Sequence, residues 1–110
     1  MIADIQSRGN TLTSGEIGMA FLLRALQTAG RGDLIYAMIN QTNTPGYGYQ
    51  IAHGATALTE RWDAANLTFS SHDHFIQGEI MEWFYSGLVG RALHPTGPGL
   101  KQSATSPTPA

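Results

Sequence analysis

Glu60, Asp63, His53, His72, Asp73 and His74 are the side chains whose types and spacing could do chemistry. A rigidly held carboxylate can move a proton as a general acid or base. Glu60 sits in the run Gly54-Ala55-Thr56-Ala57-Leu58-Thr59-Glu60-Arg61-Trp62-Asp63, beside an indole. The aromatic loop Gly46-Tyr47-Gly48-Tyr49 precedes it. Aromatic walls and hydrogen-bonding histidines around a carboxylate suit a sugar site. The competing account of Glu60 is a solvated helical glutamate paired with Arg61 or another neighbour. His72-Asp73-His74, with His53 and Glu60, could also be read as metal ligands. No HExxH or comparable spacing supports that reading, so no metal or other cofactor is expected. The chain has no GxSxG and no P-loop, and Gly46-Tyr47-Gly48 is too short and aromatic to cradle a phosphate.

A catalytic carboxylate needs a mount. The stretch 55–62 has no Gly or Pro, and Leu58 and Trp62 are four apart. That spacing predicts a short helix that pins two apolar side chains and turns Glu60 elsewhere. Upstream, Met19, Leu22, Leu23 and Leu26 form an apolar stripe that Ile17 and Phe21 widen, predicting a helix over 14–29. Thr13 and Glu16 have the spacing of a capping box, Ser14 is an alternative cap, and Gly30 is the stop. Arg31-Gly32-Asp33 matches an integrin-binding tripeptide, but reads as a Gly turn with Asp33 as N-cap. A second helix over 34–41 follows, and the short link predicts an antiparallel hairpin. Asn43-Thr44-Pro45-Gly46 is a turn, and Tyr47 and Tyr49 then belong to an extended loop. Ile76, Ile80, Phe84 and Leu88 recur every four residues, with Phe75, Met81, Trp83, Tyr85 and Val89 on other sides. They predict a last helix over 74–90, apolar nearly all round and so buried nearly all round. The fold class is all-α, with a helical domain over 1–94 and a disordered tail over 95–110 that is rich in Ser, Thr, Pro and Ala.

The chain has 110 residues, which makes one small domain or part of a larger one. Its apolar share of 42% suits a packed core, while its charged share of 13% is about half the usual value. So little charge suggests surface meant to be covered, by self-association or by another part of a larger fold. A net charge of −2 provides no basic field, so nucleic acid is not an expected partner. The absence of cysteine rules out disulfides and thiolate metal sites. No apolar run reaches the ~20 residues of a membrane span. Met1-Ile2-Ala3-Asp4-Ile5 lacks the character of a signal peptide, so a cytoplasmic protein, or a piece from inside a longer one, is expected. The sequons at Asn40 and Asn66 then read as chance.

Four blocks carry a family likeness. They are Pro45-Gly46-Tyr47-Gly48-Tyr49, Gly54 to Asp63, Ser71-His72-Asp73-His74, and Glu82-Trp83-Phe84-Tyr85-Ser86-Gly87-Leu88-Val89-Gly90. Together they strongly resemble the bacterial α-L-rhamnosidases of glycoside hydrolase family 78, where such blocks run in this order near the end of an (α/α)6 toroid. Thr13-Ser14-Gly15 and Gly97-Pro98-Gly99-Leu100-Lys101 are also similar to the family pattern, the latter to the start of its following β-sandwich. The resemblance implies a toroid fragment and inverting hydrolysis of terminal α-L-rhamnosides, with rhamnose-containing glycosides as substrates. It implies that Glu60 is the general base and that His74 binds the sugar, with Trp62 and Tyr47 bordering the subsite. Asp73 stands where the family usually has Asn. The family's general acid lies upstream of anything matched here, so the chain is expected to carry the base half of a site and to be inactive alone. The alternative is a catalytically inactive helical remnant or interaction domain.

Overall fold

The computed structural model describes residues 1–64, 68–93 and 103–105. Helices α1 (Ile2–Ser7), α2 (Glu16–Thr28), α3 (Gly32–Asn40) and α4 (Tyr47–Ala52) are followed by a helical run of changing pitch. That run is a 3₁₀ stretch over Phe75–Glu79, α5 over Ile80–Trp83, and a π turn over Phe84–Leu88. The architecture is all-α, as expected, apart from one short ladder. In it β1 (Arg91–Leu93) pairs antiparallel with β2 (Ser103–Thr105), Arg91 opposite Thr105. The strand at 103–105 corrects the expectation of a tail without regular structure; the rest of that tail lies outside the described residues, as does Asn66. No helix among the described residues is long and apolar enough to cross a membrane.

The apolar stripe of α2 forms as its spacing requires. Met19, Leu23 and Leu26 are buried against Leu34, Ile35 and Met38 of α3 and Ile80 and Trp83 of α5. Burying each such side chain contributes about 1.5–3 kcal/mol. Ile17 and Phe21 do not widen the stripe inward; they are 77% and 67% exposed. The capping box does not form either. Gly15 is the N-cap, without a side-chain bond, and Glu16 turns toward His74 instead. Gly30 closes α2 as expected, with the Arg31 N–H reaching the Leu26 carbonyl at 2.9 Å. Arg31, not Asp33, is the N-cap of α3. Asp33 lies in the first turn, and its hydrogen-bonded ion pair with Arg31 at 2.7 Å lowers its pKa. Arg24 of α2 reaches Glu82 of α5 at 2.9 Å.

Two expectations around the site are overturned. Tyr47–Ala52 is a helix, not an extended loop. It ends at Gly54, whose φ of +81° suits a residue without Cβ. There the Ala55 N–H bonds the Gln50 carbonyl at 3.0 Å. The stretch 55–62, in turn, is not a helix but a chain of bends. Its backbone bonds cross to a distant segment: Glu60 N–H to Ser71 C=O at 3.0 Å, and His74 N–H to Leu58 C=O at 2.8 Å. Those partners replace the i→i−4 ladder that a helix would need.

The expected final helix keeps its span but not its uniform pitch. The Ser86 hydroxyl donates to the Glu82 carbonyl at 2.6 Å, and the Val89 N–H donates to the Phe84 carbonyl five residues back at 3.1 Å. Nor is it buried on most sides, since Phe75 is 83% exposed.

Gly48 determines how α4 docks. A Cβ there would stand 2.4 Å from the Gln41 carbonyl oxygen, backbone that cannot swing aside. Gly48→Ala should therefore lower stability, by up to about 2 kcal/mol, an overpacking cost of about 1–3 kcal/mol less a helix-propensity gain of about 1. Urea unfolding measures it, and an unchanged or raised midpoint would mean that α4 is not seated against α3.

Candidate active site

Glu60 is held at three points. Its N–H donates to the Ser71 carbonyl at 3.0 Å. Its own carbonyl accepts from Gln77 Nε2 at 3.2 Å. Its Oε2 accepts from the Ser71 N–H at 3.0 Å. The Ser71 hydroxyl fixes the partner turn by donating to the Asp73 carbonyl at 3.0 Å. Arg61 does not pair with Glu60. It reaches Asp63 at 3.2 Å, which removes Arg61 as the partner of the glutamate.

The carboxylate borders an open cleft of about 670 Å³, which Glu16, Arg61, Trp62, Asp63 and Gln77 also line. Three carboxylates and one guanidinium make the cleft rich in hydrogen-bond acceptors. Trp62 is half-buried, and its Nε1 donates to the Ser14 carbonyl at 3.3 Å, so the indole is both wall and anchor. Tyr47 is not a wall. It is 9% exposed, its hydroxyl donates to the Gln77 carbonyl, and its ring meets Trp62 edge-on at 4.9 Å. Burial, and then the charge of Glu79, push the Tyr47 hydroxyl well above the usual tyrosine range. Tyr47 therefore backs the indole from the core.

His74 is brought close to the site by its backbone bond to Leu58. Its imidazole turns toward Glu16, with Nδ1 3.8 Å from Oε1. That is too long for a hydrogen bond, and Nδ1 is buried without a partner among the described residues. His53 is exposed and stacks on Tyr49 at 3.9 Å. His72 is exposed, and neither histidine lines the cleft. Among the described residues no three acidic or imidazole groups converge to hold a metal ion. Sequence reasoning missed Gln77 and Glu16 as site residues. Glu16 was absorbed into a capping pattern, and a lone glutamine carries no motif.

A helical array with a clamped carboxylate beside an indole in an open cleft is compatible with a glycosidase-type helical domain. Residues 1–88 match the family model of the bacterial alpha-L-rhamnosidase 6 hairpin glycosidase domain, and the chain belongs to that family. It is 35% identical to an alpha-L-rhamnosidase of Alteromonas sp. (strain LOR), over 97% of this chain and 12% of that protein. The crystal structure of Streptomyces avermitilis alpha-L-rhamnosidase complexed with L-rhamnose superposes with a TM-score of 0.85 at 30% identity, covering 98% of this chain and 11% of that one. The alpha-L-rhamnosidase from Dictyoglumus thermophilum gives a TM-score of 0.76 at 31% identity, over 83% of this chain and 10% of that one. The chain thus spans about an eighth of the length of the relatives it matches, and within that span it has the fold of a toroid fragment.

The raised Tyr47 pKa has a consequence for alkaline stability. The folded chain keeps a proton that the unfolded chain loses above pH about 10. The stabilisation is full below that pH and is lost as pH rises past it. Urea unfolding from about pH 8 to about 11 should show a decline of up to about 1.4 kcal/mol per pH unit at the top of the range from this group. Tyr47→Phe should flatten that decline; identical slopes in both proteins would show that the hydroxyl is not buried.

Proposed function

We propose that the chain forms the general-base half of an inverting α-L-rhamnosidase site, with Glu60 as the base. The observation that carries this is the clamp on Glu60: carbonyl, amide and Oε2 are all held while the carboxylate borders the cleft. With Oε2 engaged by the Ser71 amide, Oε1 is the oxygen left to face a water. As that water attacks the anomeric carbon it must shed a proton, and a fixed carboxylate receives it. Inversion requires a second carboxyl roughly 6.5–9.5 Å away, to protonate the leaving oxygen. In this reading it comes from another part of the toroid, and the chain alone does not turn over substrate. Trp62 offers an apolar face to the sugar, with Tyr47 behind it. His74 approaches the sugar from the Glu16 side.

The test joins this chain to an acid-bearing upstream half from a family relative and follows hydrolysis of an aryl α-L-rhamnoside. Glu60→Gln keeps size and hydrogen bonding but removes the base, and should lower kcat by ~10²–10⁴-fold. Turnover like that of the unmutated protein would end the assignment.

A second reading, an inactive helical module that associates through its apolar faces, draws on the exposure of Ile17, Phe21 and Phe75. Both readings expect the isolated chain to self-associate, because those side chains need cover. Light scattering should show species larger than a monomer; a monodisperse monomer with a sharp thermal transition would count against that expectation. Activity of the completed toroid separates the two readings.

A further inference from the structure

Gln77 is 1% exposed, yet it borders the cleft beside Glu60. It has three polar partners from two other segments of the chain. Its Nε2 donates to the Glu60 carbonyl at 3.2 Å. Its Oε1 accepts from Gln50 Nε2 at 2.8 Å, and Gln50 is 5% exposed. Its backbone carbonyl accepts from the Tyr47 hydroxyl. The amides therefore run in one direction, Gln50 to Gln77 to Glu60, out of water. In such surroundings each bond polarises the next, and an unmet donor has no solvent to turn to. The chain ends on the Glu60 backbone carbonyl, and so holds the peptide plane on the C-terminal side of the Cα that carries the carboxylate.

We propose that Gln77 is a positioning residue for Glu60, aiming the carboxylate through its carbonyl. The inference rests on the reading of Glu60 as general base. Ser71 alone cannot supply this control. Both of its bonds to Glu60 reach the amide and the carboxylate and neither reaches the following peptide plane, which the Thr59 hydroxyl restrains only through the next carbonyl along, that of Arg61. Gln77 opposes it from the buried side. A filler role in the core would require only the volume of Gln77, whereas a positioning role requires its donor.

Gln77→Met keeps the length and removes the donor. In the chain itself, hydrogen exchange at the Glu60 amide should quicken by ~10-fold or more as the clamp loosens, with the Leu23 and Leu26 amides of α2 unchanged. In the completed toroid, kcat should fall by ~10–100-fold with KM within ~2-fold, as for a reacting group moved by about an ångström. An unchanged Glu60 amide, or quickening shared equally by α2, would overturn the proposal. So would a raised KM with unchanged kcat, which would make Gln77 a sugar contact. If Glu60→Gln is itself fully active, the functional reading fails, while the exchange measurement still decides whether Gln77 holds Glu60. Should Gln77→Met not fold, Gln50→Met acts one bond further back and should quicken exchange at Glu60 in the same selective way. No change there would equally overturn the proposal.

Discussion

Two backbone hydrogen bonds, Glu60 N–H to Ser71 C=O and His74 N–H to Leu58 C=O, join two segments with no regular structure of their own. The rest of the site depends on this join. It brings a carboxylate and an imidazole, 14 residues apart in sequence, into one neighbourhood without a helix to carry either. It also satisfies backbone groups that an irregular segment would otherwise leave unmet near the core. Thr59, only 2% exposed, shows how deep the segment runs; its hydroxyl donates to the Arg61 carbonyl at 2.7 Å and holds the bend after Glu60.

The helices serve this join from behind. α4 sets Tyr47 edge-on to Trp62, and the residues just before α2 hold the indole nitrogen through Ser14. The indole thereby ties the bend carrying Glu60 to the N-terminal end of α2. The 3₁₀ stretch before α5 provides Gln77, so the helix that closes the core also reaches under the carboxylate. Core and site are one construction here: the same helical run buries Ile80 and Trp83 and supports Glu60.

Glu60 could be singled out in the sequence as a candidate, through its neighbours, but its mount could not. Leu58 and Trp62, four apart, satisfy a helical template, yet an extended bend that touches the core at two points satisfies it equally well. Only the partners at Ser71 and His74 decide, and they are not local. α2 and α3 were legible because their stripes are long and their stop at Gly30 is unambiguous. α4 was not, because Gly48 lowers its propensity while serving a close approach to Gln41 that no local pattern announces. α1, six residues without a side-chain cap, leaves almost no periodic signal. The capping box at Thr13 and Glu16 was a true spacing with a false meaning: the carboxylate lies 3.8 Å from His74 instead. Tyr47 was read as a wall because aromatic loops often are, and its burial follows from becoming helical.

The Arg24–Glu82 contact joins positions 58 residues apart. As an exposed ion pair it adds little to stability, but it marks a long loop that must close before α2 is covered. When the chain is made from its N-terminus, Leu23 and Leu26 leave the ribosome well before Ile80 and Trp83 can shield them. α2 and α3 can pair early, since their connection is short. The clamp on Glu60 cannot, because both Ser71 and Gln77 arrive later. High contact order of this kind slows folding and prolongs exposure of apolar surface. The clamp on Glu60 therefore forms only after α2 and α3 have emerged, since two of its three bonds wait for Ser71 and the third for Gln77.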